Sequence, residues 1–264
     1  MVDFLRRRIM CPYIHIHKLT LPTYGLCIAI AAVVMVVYAM KQAKKRNVLT
    51  EDVLIVSAMC AAFALIGAKV MYIFVTYSMA ELIELMKKGD FSFMGGSGLV
   101  FLGGLLFAIV GAWVGSLVAK QKLVVFEDLI IPIVPVGHAI GRIGCLLAGC
   151  CYGKVYDGLF AIHYKNINTG EWSTKGYFPV QPLEALLNCV IAVVLYRKSK
   201  KEHKEYFLLL DYLLYYAIMR FGLEFLRGDA ERGVYGGIST SQWICMALVL
   251  VNVLVRVVAM KKKK

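Results

Sequence analysis

The sequence predicts an all-α protein that crosses a membrane several times. Of its 264 residues, 60% are hydrophobic, whereas soluble domains contain about 45–50% apolar residues. The apolar residues stand in long runs, and about 20 of them in a helix cross a hydrocarbon core about 30 Å thick. Basic residues outnumber acidic ones by 30 to 17, giving a formal net charge of +13. These observations predict one integral membrane domain over residues 1–264 with about seven transmembrane helices.

Seven apolar segments form the predicted helices. They cover residues 22–40, 53–77, 98–119, 124–150, 181–196, 206–226 and 240–260. The first has no small-residue cleavage site and more spans follow it, so we interpret it as a retained anchor and not as a signal peptide. The segment at 181–196 is short, and the one at 124–150 contains Pro132 and Pro135, so either can be broken or re-entrant.

Basic clusters set the predicted orientation, because short cytoplasmic loops are enriched in Lys and Arg. The clusters lie at residues 41–46, 120–122, 197–204 and 261–264. With seven spans all four fall on one face, which predicts an external N-terminus and a cytoplasmic C-terminus; residues 6–8, three arginines, oppose this. The loops near 78–97, 151–180 and 227–239 then form a small extracytoplasmic cap. Because the basic runs adjoin membrane helices, they indicate contact with anionic lipids, and we expect no nucleic-acid partner.

Charged side chains inside the apolar segments point to a functional site, because they are costly in hydrocarbon. The set comprises His138 and Arg142 in the fourth segment, Arg220 and Glu224 in the sixth with Arg227 directly after it, Lys69 in the second and Glu184 in the fifth; Cys145 and Gly149 continue the spacing of His138 and Arg142. Within the fourth and sixth segments the intervals are three and four residues, so each group shares one helix face. The excess of cations suits a lipid phosphate, to which guanidinium offers forked donors. The alternative is that these residues pair with one another to hold helices together.

Residues 141–153 combine Arg142 with four glycines and three cysteines. Cys145, Cys150 and Cys151 leave three interpretations open. In the first, the cysteines pack as small residues, with an exposed thiol or a disulfide on the oxidising face. In the second, they bind a metal together with His138. In the third, they are functional thiols whose pKa is lowered by a nearby guanidinium. Since Cys-x4-Cys-Cys is not the usual spacing of a zinc site, we expect no metal.

A glycine-rich run, residues 94–104, opens the third segment. Glycines at a helix start leave backbone N–H groups accessible to an anion. Small residues also let membrane helices pack closely. Gly103 and Gly104 fit both interpretations equally.

The ordered motifs of the chain resemble those of the prolipoprotein diacylglyceryl transferases, membrane enzymes that move diacylglycerol from phosphatidylglycerol to a lipoprotein-precursor cysteine. The matching motifs are Tyr24-Gly25, Gly67-Ala68-Lys69, Phe101-Leu102-Gly103-Gly104, Gly141-Arg142-Ile143-Gly144 continuing to Gly149 and Tyr152-Gly153, Pro179 to Glu184, Arg220 to Arg227, and Ser241-Gln242-Trp243. They are spread over nearly the whole chain. The resemblance implies seven helices with an outward N-terminus, in a bacterial plasma or inner membrane.

The resemblance implies alkyl transfer at carbon without a metal or organic cofactor. It gives Arg142 and Arg220 the phosphate contacts, with Lys69 assisting, and Glu224 the task of orienting Arg220 or Arg227. The substrate-binding set it implies is Tyr24, Lys69, Gly103, Gly104, Arg142, Gln181, Glu184, Arg220 and Arg227. The implied partners are phosphatidylglycerol, a lipoprotein precursor with a lipobox cysteine, and membrane lipids.

The chain departs from the family pattern at several polar positions. Leu102 stands where the family has histidine, and Cys145 and Cys150 stand where it has asparagine and glutamate. His138, by contrast, stands where a nonpolar residue is common, four residues before Arg142. Because imidazole titrates near neutral pH, His138 is our candidate general base, the alternative being a hydrogen-bonded core histidine.

Two functions are compatible with these patterns. The first is transfer of the diacylglyceryl group from phosphatidylglycerol to a prolipoprotein cysteine, with release of glycerol phosphate. The second is a divergent relative that uses another acceptor or that binds or transports lipid without catalysis, as the loss of the histidine at Leu102 would allow.

Overall fold

Helices occupy all seven of the apolar segments predicted from the sequence. The computed structural model describes residues 9–17, 19–95, 101–165, 169–228 and 234–261. Its helices are α1 (Thr23–Lys45), α2 (Thr50–Thr76), α3 (Met79–Lys87), α4 (Ser92–Gly95), α5 (Phe101–Val118), α6 (Leu123–Ile130), α7 (Val134–Ala148), α8 (Val180–Lys198), α9 (Phe207–Glu224) and α10 (Thr240–Lys261). Four short strands form two antiparallel pairs, β1 (Tyr13–Ile16) with β2 (Leu19–Pro22) and β3 (Val234–Tyr235) with β4 (Ile238–Ser239). The chain is an all-α membrane protein to which these small strand pairs, absent from the sequence prediction, are added.

Four stretches are long and apolar enough to cross a membrane by themselves. Within the described part of the chain they are Thr23–Lys45, Thr50–Phe74, Val180–Lys198 and Ser241–Lys261, and the bent pair α6 and α7 is either a fifth, broken span or a re-entrant loop. Within the described residues the other two predicted segments fall short. In α9, Asp211, Arg220 and Glu224 place three charges in one helix, and the third segment contributes the shorter apolar stretch Phe107–Val118. The start of that segment, residues 98–100, lies outside the described residues.

The fourth predicted span is broken, as its prolines allow. α6 ends at Ile130 and α7 begins at Val134, with Pro132 in the turn between them. Pro135 lies in the first turn of α7, where a missing backbone N–H leaves no helical hydrogen bond unmade. The segment at 181–196, for which a break was the alternative, is instead the continuous helix α8.

The predicted outer loops contain more regular structure than the sequence indicates. The loop at 78–97 holds α3 and α4, and α3 begins with a capping box in which Ser78 and Glu81 satisfy each other's backbone N–H groups. The loop at 151–180 is ordered by isolated β bridges, with Tyr177 facing both Val155 and Ile162. In the loop at 227–239, residues 229–233 lie outside the described part of the chain.

Residues Tyr38–Leu129 form one compact unit, built on the packing of α2 against α5. Glycines make this close approach possible, since a Cβ on Gly103 would overlap the Gly67 carbonyl and the Met71 side chain. Such contact between small residues is typical of membrane helix pairs. An ion pair between Arg46 Nη1 and Asp128 Oδ2, 2.7 Å apart, joins the two ends of the unit's sequence.

Residues Met1–Val37 and Ile130–Lys264 form the other unit. In it α7 packs on α8, α8 on α9 and α9 on α10. Ile131, Ile191, Leu195 and Leu208 form a buried apolar cluster. Near the start of α9, Asp211 lies 2.8 Å from Lys198 Nζ and 2.6 Å from Arg256 Nη2, which ties α8 and α10 to α9. The most apolar part of α10 is only 11% buried, as expected of a helix whose surface faces lipid.

Candidate active site

Glu184 is the centre of a buried charge cluster in the unit made of residues Met1–Val37 and Ile130–Lys264. It lies in the second turn of α8 and is fully buried. Its Oε1 lies 2.8 Å from Arg142 Nη2 and 3.7 Å from His138 Nε2, and its Oε2 lies 4.0 Å from Arg227 Nη1. One carboxylate therefore faces two guanidinium groups and an imidazole, so the cluster carries more positive than negative charge.

Along α7 the structure brings His138 and Arg142 together. They are one helical turn apart, and both side chains approach the same oxygen of Glu184. The His138 ring centroid lies 5.2 Å from that of Tyr216. α7 and α9 thus position the imidazole from two sides.

Arg220 and Glu224 form a second buried pair one turn apart on α9. Arg220 Nη2 lies 2.8 Å from Glu224 Oε2 and donates to Ser241 Oγ at 3.3 Å. The two side chains are only 9% and 6% exposed. Glu224 therefore holds Arg220 in place, as the predicted pairing required.

Arg227 does not continue the α9 stripe, so that part of the prediction is wrong. α9 ends at Glu224 because the chain leaves the helix to pair with the segment after α7, where Arg227 faces Gly153 in a β bridge and Lys154 N–H donates to the Leu226 carbonyl. From this bridge Arg227, which is buried, reaches the Glu184 carboxylate.

Two guanidinium N–H groups of the cluster have no acceptor among the described residues. Arg142 Nε and Arg220 Nη1 are both hidden from solvent, and neither makes a hydrogen bond there. Glu184 is not the acceptor for Arg142 Nε, because its carboxylate lies at ion-pair distance from a different nitrogen of Arg142, Nη2. Buried polar groups are nearly always paired in proteins, and unpaired charged donors are costly. The arrangement can therefore accept an anion.

Gln181 links α8 to the segment that follows α7. Its Nε2 donates to the Cys150 carbonyl at 2.8 Å, and Tyr164 Oη donates to its Oε1 at 3.1 Å. Burial raises the pKa of Tyr164 to about 12. Gln181 was predicted to bind substrate, and the structure gives its amide these internal partners.

The three candidate thiols lie together at the C-terminal end of α7, Cys145 in its last turns and Cys150 and Cys151 just after it. The Sγ atoms of Cys145, Cys150 and Cys151 are all within 4.8 Å of one another. Gly149 ends α7 in the left-handed conformation, with φ +75°, and Cys150 N–H donates back to the Cys145 carbonyl. Hydrogen bonds with the Cys145 and Cys150 thiols, assisted by the Arg227 guanidinium, lower the pKa of Cys151. The thiols therefore form a cluster beside the charged site.

The remaining predicted residues have contacts of their own. Tyr24, at the start of α1, is 41% exposed, and its ring lies next to Gly144 of α7. Lys69 belongs to the unit Tyr38–Leu129, where its Nζ lies 5.0 Å from the Tyr72 ring centroid. In that unit, packing against α2 accounts for Gly103 and for Gly104, whose added Cβ would lie 3.1 Å from the Ala64 carbonyl oxygen.

Three residues of the cluster were missed by the sequence analysis. Tyr216 precedes Arg220 by four residues, and Asn188 follows Glu184 by four, so helical spacing was an available signal for both. Asn188 is fully buried and its Nδ2 donates to the Glu184 carbonyl at 2.8 Å. Ser241 was named only within a matching motif and not as a site residue; it joins the site through the packing of α10 on α9.

Comparison with known proteins gives one consistent result. A family model described as prolipoprotein diacylglyceryl transferase matches residues 12–258. The chain is 28% identical over 233 residues to the phosphatidylglycerol–prolipoprotein diacylglyceryl transferase of Clostridium tetani, covering 88% of this chain and 90% of that protein. It is 26% identical over 239 residues to phosphatidylglycerol–prolipoprotein diacylglyceryl transferase 2 of Clostridium perfringens, covering 90% and 91%. The corresponding protein of Dehalococcoides mccartyi is 27% identical over 251 residues, covering 94% and 93%.

Proposed function

Because the chain belongs to the prolipoprotein diacylglyceryl transferase family, we propose that it transfers the diacylglyceryl group of phosphatidylglycerol to a cysteine thiol of a lipoprotein precursor. The chain spans about nine-tenths of the relatives it matches, so the similarity is not confined to one segment. The precursor cysteine is expected to lie in a lipobox.

The observation that carries this proposal is the pair of unpartnered donors, Arg142 Nε and Arg220 Nη1. Both are buried in a cluster whose acidic members, Glu184 and Glu224, each form an ion pair with the Nη2 atom of one of these guanidinium groups. A phosphate with several acceptor oxygens satisfies such donors, and arginine binds it with directed hydrogen bonds. We therefore assign the phosphate contacts to Arg142 and Arg220, with Arg227 adding positive charge from the β bridge.

The proposed reaction is a displacement at carbon. The sulfur of the acceptor cysteine attacks the glycerol carbon that carries the phosphate, a C–S bond forms and the C–O bond breaks. The electron pair leaves on glycerol phosphate, whose developing charge the two arginines stabilise. Holding the phosphate in line with the incoming sulfur supplies much of the remaining acceleration.

The thiol proton needs an acceptor, and we assign that role to His138. Its Nε2 lies 3.7 Å from Glu184 Oε1, so the carboxylate can stabilise the imidazolium that forms when the proton arrives. Tyr216 packs against the ring and limits its rotation. His138 thereby takes up a histidine function within the cluster while Leu102 occupies the family's histidine position.

The membrane arrangement completes the proposal. The chain is multi-pass, with seven spans, the N-terminus outside and the C-terminus in the cytoplasm of a bacterial cell. This part of the proposal is supported by the four to five candidate spans, by the two further helices with charges or shorter apolar stretches, and by the positions of the basic clusters.

A donor–acceptor assay tests this function. Membranes containing the protein are incubated with labelled phosphatidylglycerol and a peptide bearing a lipobox cysteine, and label in the peptide is measured together with released glycerol phosphate. We expect both products from the natural chain. In Arg142→Lys and Arg220→Lys, kcat/KM should fall by about 10²- to 10³-fold, because lysine keeps the charge and loses the forked donors.

Arg256→Lys is the matched control. Arg256 is also paired with a carboxylate, Asp211, but near the opposite end of α9, so its replacement should leave transfer near the natural rate. Lipid binding without either product would contradict the transferase function and support the lipid-binding alternative. Full activity in both site variants would contradict the assigned phosphate contacts.

A further inference from the structure

The cluster of thiols at the C-terminal end of α7, Cys145, Cys150 and Cys151, is not needed for the reaction proposed above. We propose that Cys145, Cys150 and Cys151 bind a soft monovalent metal ion, Cu(I), through their three sulfur atoms. Soft thiolate ligands select ions of this kind over hard cations.

The distances between the sulfur atoms suit a shared ion. All three Sγ atoms lie within 4.8 Å of one another. Metal–thiolate bonds of about 2.3 Å, as in zinc sites, place neighbouring sulfur atoms about 4 Å apart. Closing the cluster around an ion therefore requires side-chain movements of less than about 1 Å. A disulfide would use only two of the sulfur atoms and would leave the third beside them as a free thiol.

The backbone explains how two adjacent cysteines converge on one point. Gly149 has φ +75° and Cys151 has φ +58°, so the chain turns back over the last turn of α7 and brings Cys150 and Cys151 towards Cys145. A residue other than glycine in the left-handed region is strained, and such residues concentrate at functional sites. The usual objection to adjacent cysteines as ligands of one ion therefore does not apply to this turn.

Ligand number and charge favour Cu(I) over zinc. Among the described residues no histidine, carboxylate or fourth cysteine joins the group, whereas structural zinc sites almost always have four protein ligands. Three thiolates around a monovalent ion carry two negative charges. The positive charges of Arg227, which acts on Cys151, and of Arg142, which acts on Cys150, offset them.

The test is a Cu(I) titration of the purified full-length protein in detergent. The protein is reduced and kept under anaerobic conditions, the reductant is removed, and Cu(I) is supplied from a chromophoric chelator that competes for it. We expect one equivalent to move to the protein with a thiolate-to-copper ultraviolet band. Each of Cys145→Ser, Cys150→Ser and Cys151→Ser should weaken binding by more than about tenfold, since even the loss of an outer-shell partner has that effect.

Cys189→Ser is the control, because Cys189 is an exposed thiol on α8 and lies outside the cluster; its affinity should be unchanged. Cys150 is also exposed, so Cys150→Ser separates ligand loss from misfolding, and equal thermal unfolding of this variant and the natural chain completes that comparison. The proposal is overturned if the natural chain holds no stoichiometric Cu(I), or if the three cluster variants bind it as tightly as the control.

Discussion

At the scale of single residues, Glu184 makes the buried cations tolerable. An arginine taken out of water needs a partner, and removal of that partner leaves an uncompensated buried charge. Glu184 serves Arg142 directly and Arg227 at longer range. The carboxylate lies beside both guanidinium groups, and Arg142 Nε remains without an acceptor among the described residues.

Helical spacing predicted part of this site and missed the rest for a physical reason. Two residues four positions apart are neighbours on the surface of every α-helix. The proximity of His138 to Arg142 and of Arg220 to Glu224 was therefore predictable from the sequence. The pairing of Glu184 with Arg142 joins two helices, and its geometry depends on how α7 packs on α8. Glu184 was therefore predicted as a charged site residue, but its central position was not.

A variant of His138 tests its assignment as general base. His138→Gln keeps a polar side chain of similar size and removes the group that accepts the thiol proton, so kcat should fall by about 10²- to 10⁴-fold. The same donor–acceptor assay measures the rate, and immunoblotting of membranes measures protein abundance. Normal abundance with a nearly normal rate would show that another group takes the proton.

Tyr164 predicts a loss of stability in alkali. Burial raises its pKa from the reference value of 10.0 to about 12, so between these values the unfolded chain has lost a proton that the folded chain retains. The stabilisation is complete below about pH 10 and is lost as pH rises towards 12. Across this range the thermal unfolding midpoint should fall less steeply with pH in Tyr164→Phe than in the natural chain. Parallel plots of midpoint against pH for the two proteins would contradict this role of Tyr164.

At the scale of elements, breaks and close contacts decide the shapes of the helices. Pro132 separates α6 from α7, a feature that proline's missing N–H made predictable. The end of α9 was not predictable in this way, because residues 225–227 have no proline and the apolar pattern continues to 226. Pairing with the segment after α7 ends this helix, and that pairing joins residues far apart in the chain.

The α2–α5 contact is tested by adding one methyl group. In Gly103→Ala the new Cβ overlaps the Gly67 carbonyl, a backbone atom that cannot move aside easily, so we expect a loss of about 1–3 kcal/mol. The thermal unfolding midpoint of the purified protein measures the effect. Gly25→Ala is the comparison variant, since its Cβ would lie 3.5 Å from Pro22 Cγ at ordinary contact distance. Equal midpoints for the two variants would count against close packing at Gly103.

At the scale of the whole molecule, composition was enough to predict a helical membrane protein, while the number of spans was harder to obtain. A hydropathy criterion selects helices with few charged residues. α9 carries three, Asp211, Arg220 and Glu224, and the last two belong to the candidate site. The charges that reveal the site therefore lower the apparent membrane character of the helix that carries them. Topology must for this reason be tested by accessibility.

Thiol labelling gives that test. In a background where the other cysteines are replaced by serine, Cys11, an exposed residue near the N-terminus, should react with a membrane-impermeant maleimide in intact spheroplasts. A cysteine introduced by Lys200→Cys, in the basic segment after α8, should react only after lysis. The reverse pattern would contradict the external N-terminus, and labelling of both sites in intact cells would contradict the odd number of spans between them.

Helix α9 carries ion pairs near both of its ends. The ion pairs of Asp211 with Lys198 and Arg256 tie its first turns to α8 and α10, and the Arg220–Glu224 pair stands in its last turn. From Asp211 to Glu224 the helix rises about 20 Å at about 1.5 Å per residue. In the proposed function, in which Arg220 contacts the phosphate, this length would set the distance along α9 between the Asp211 ion pairs and the bound headgroup.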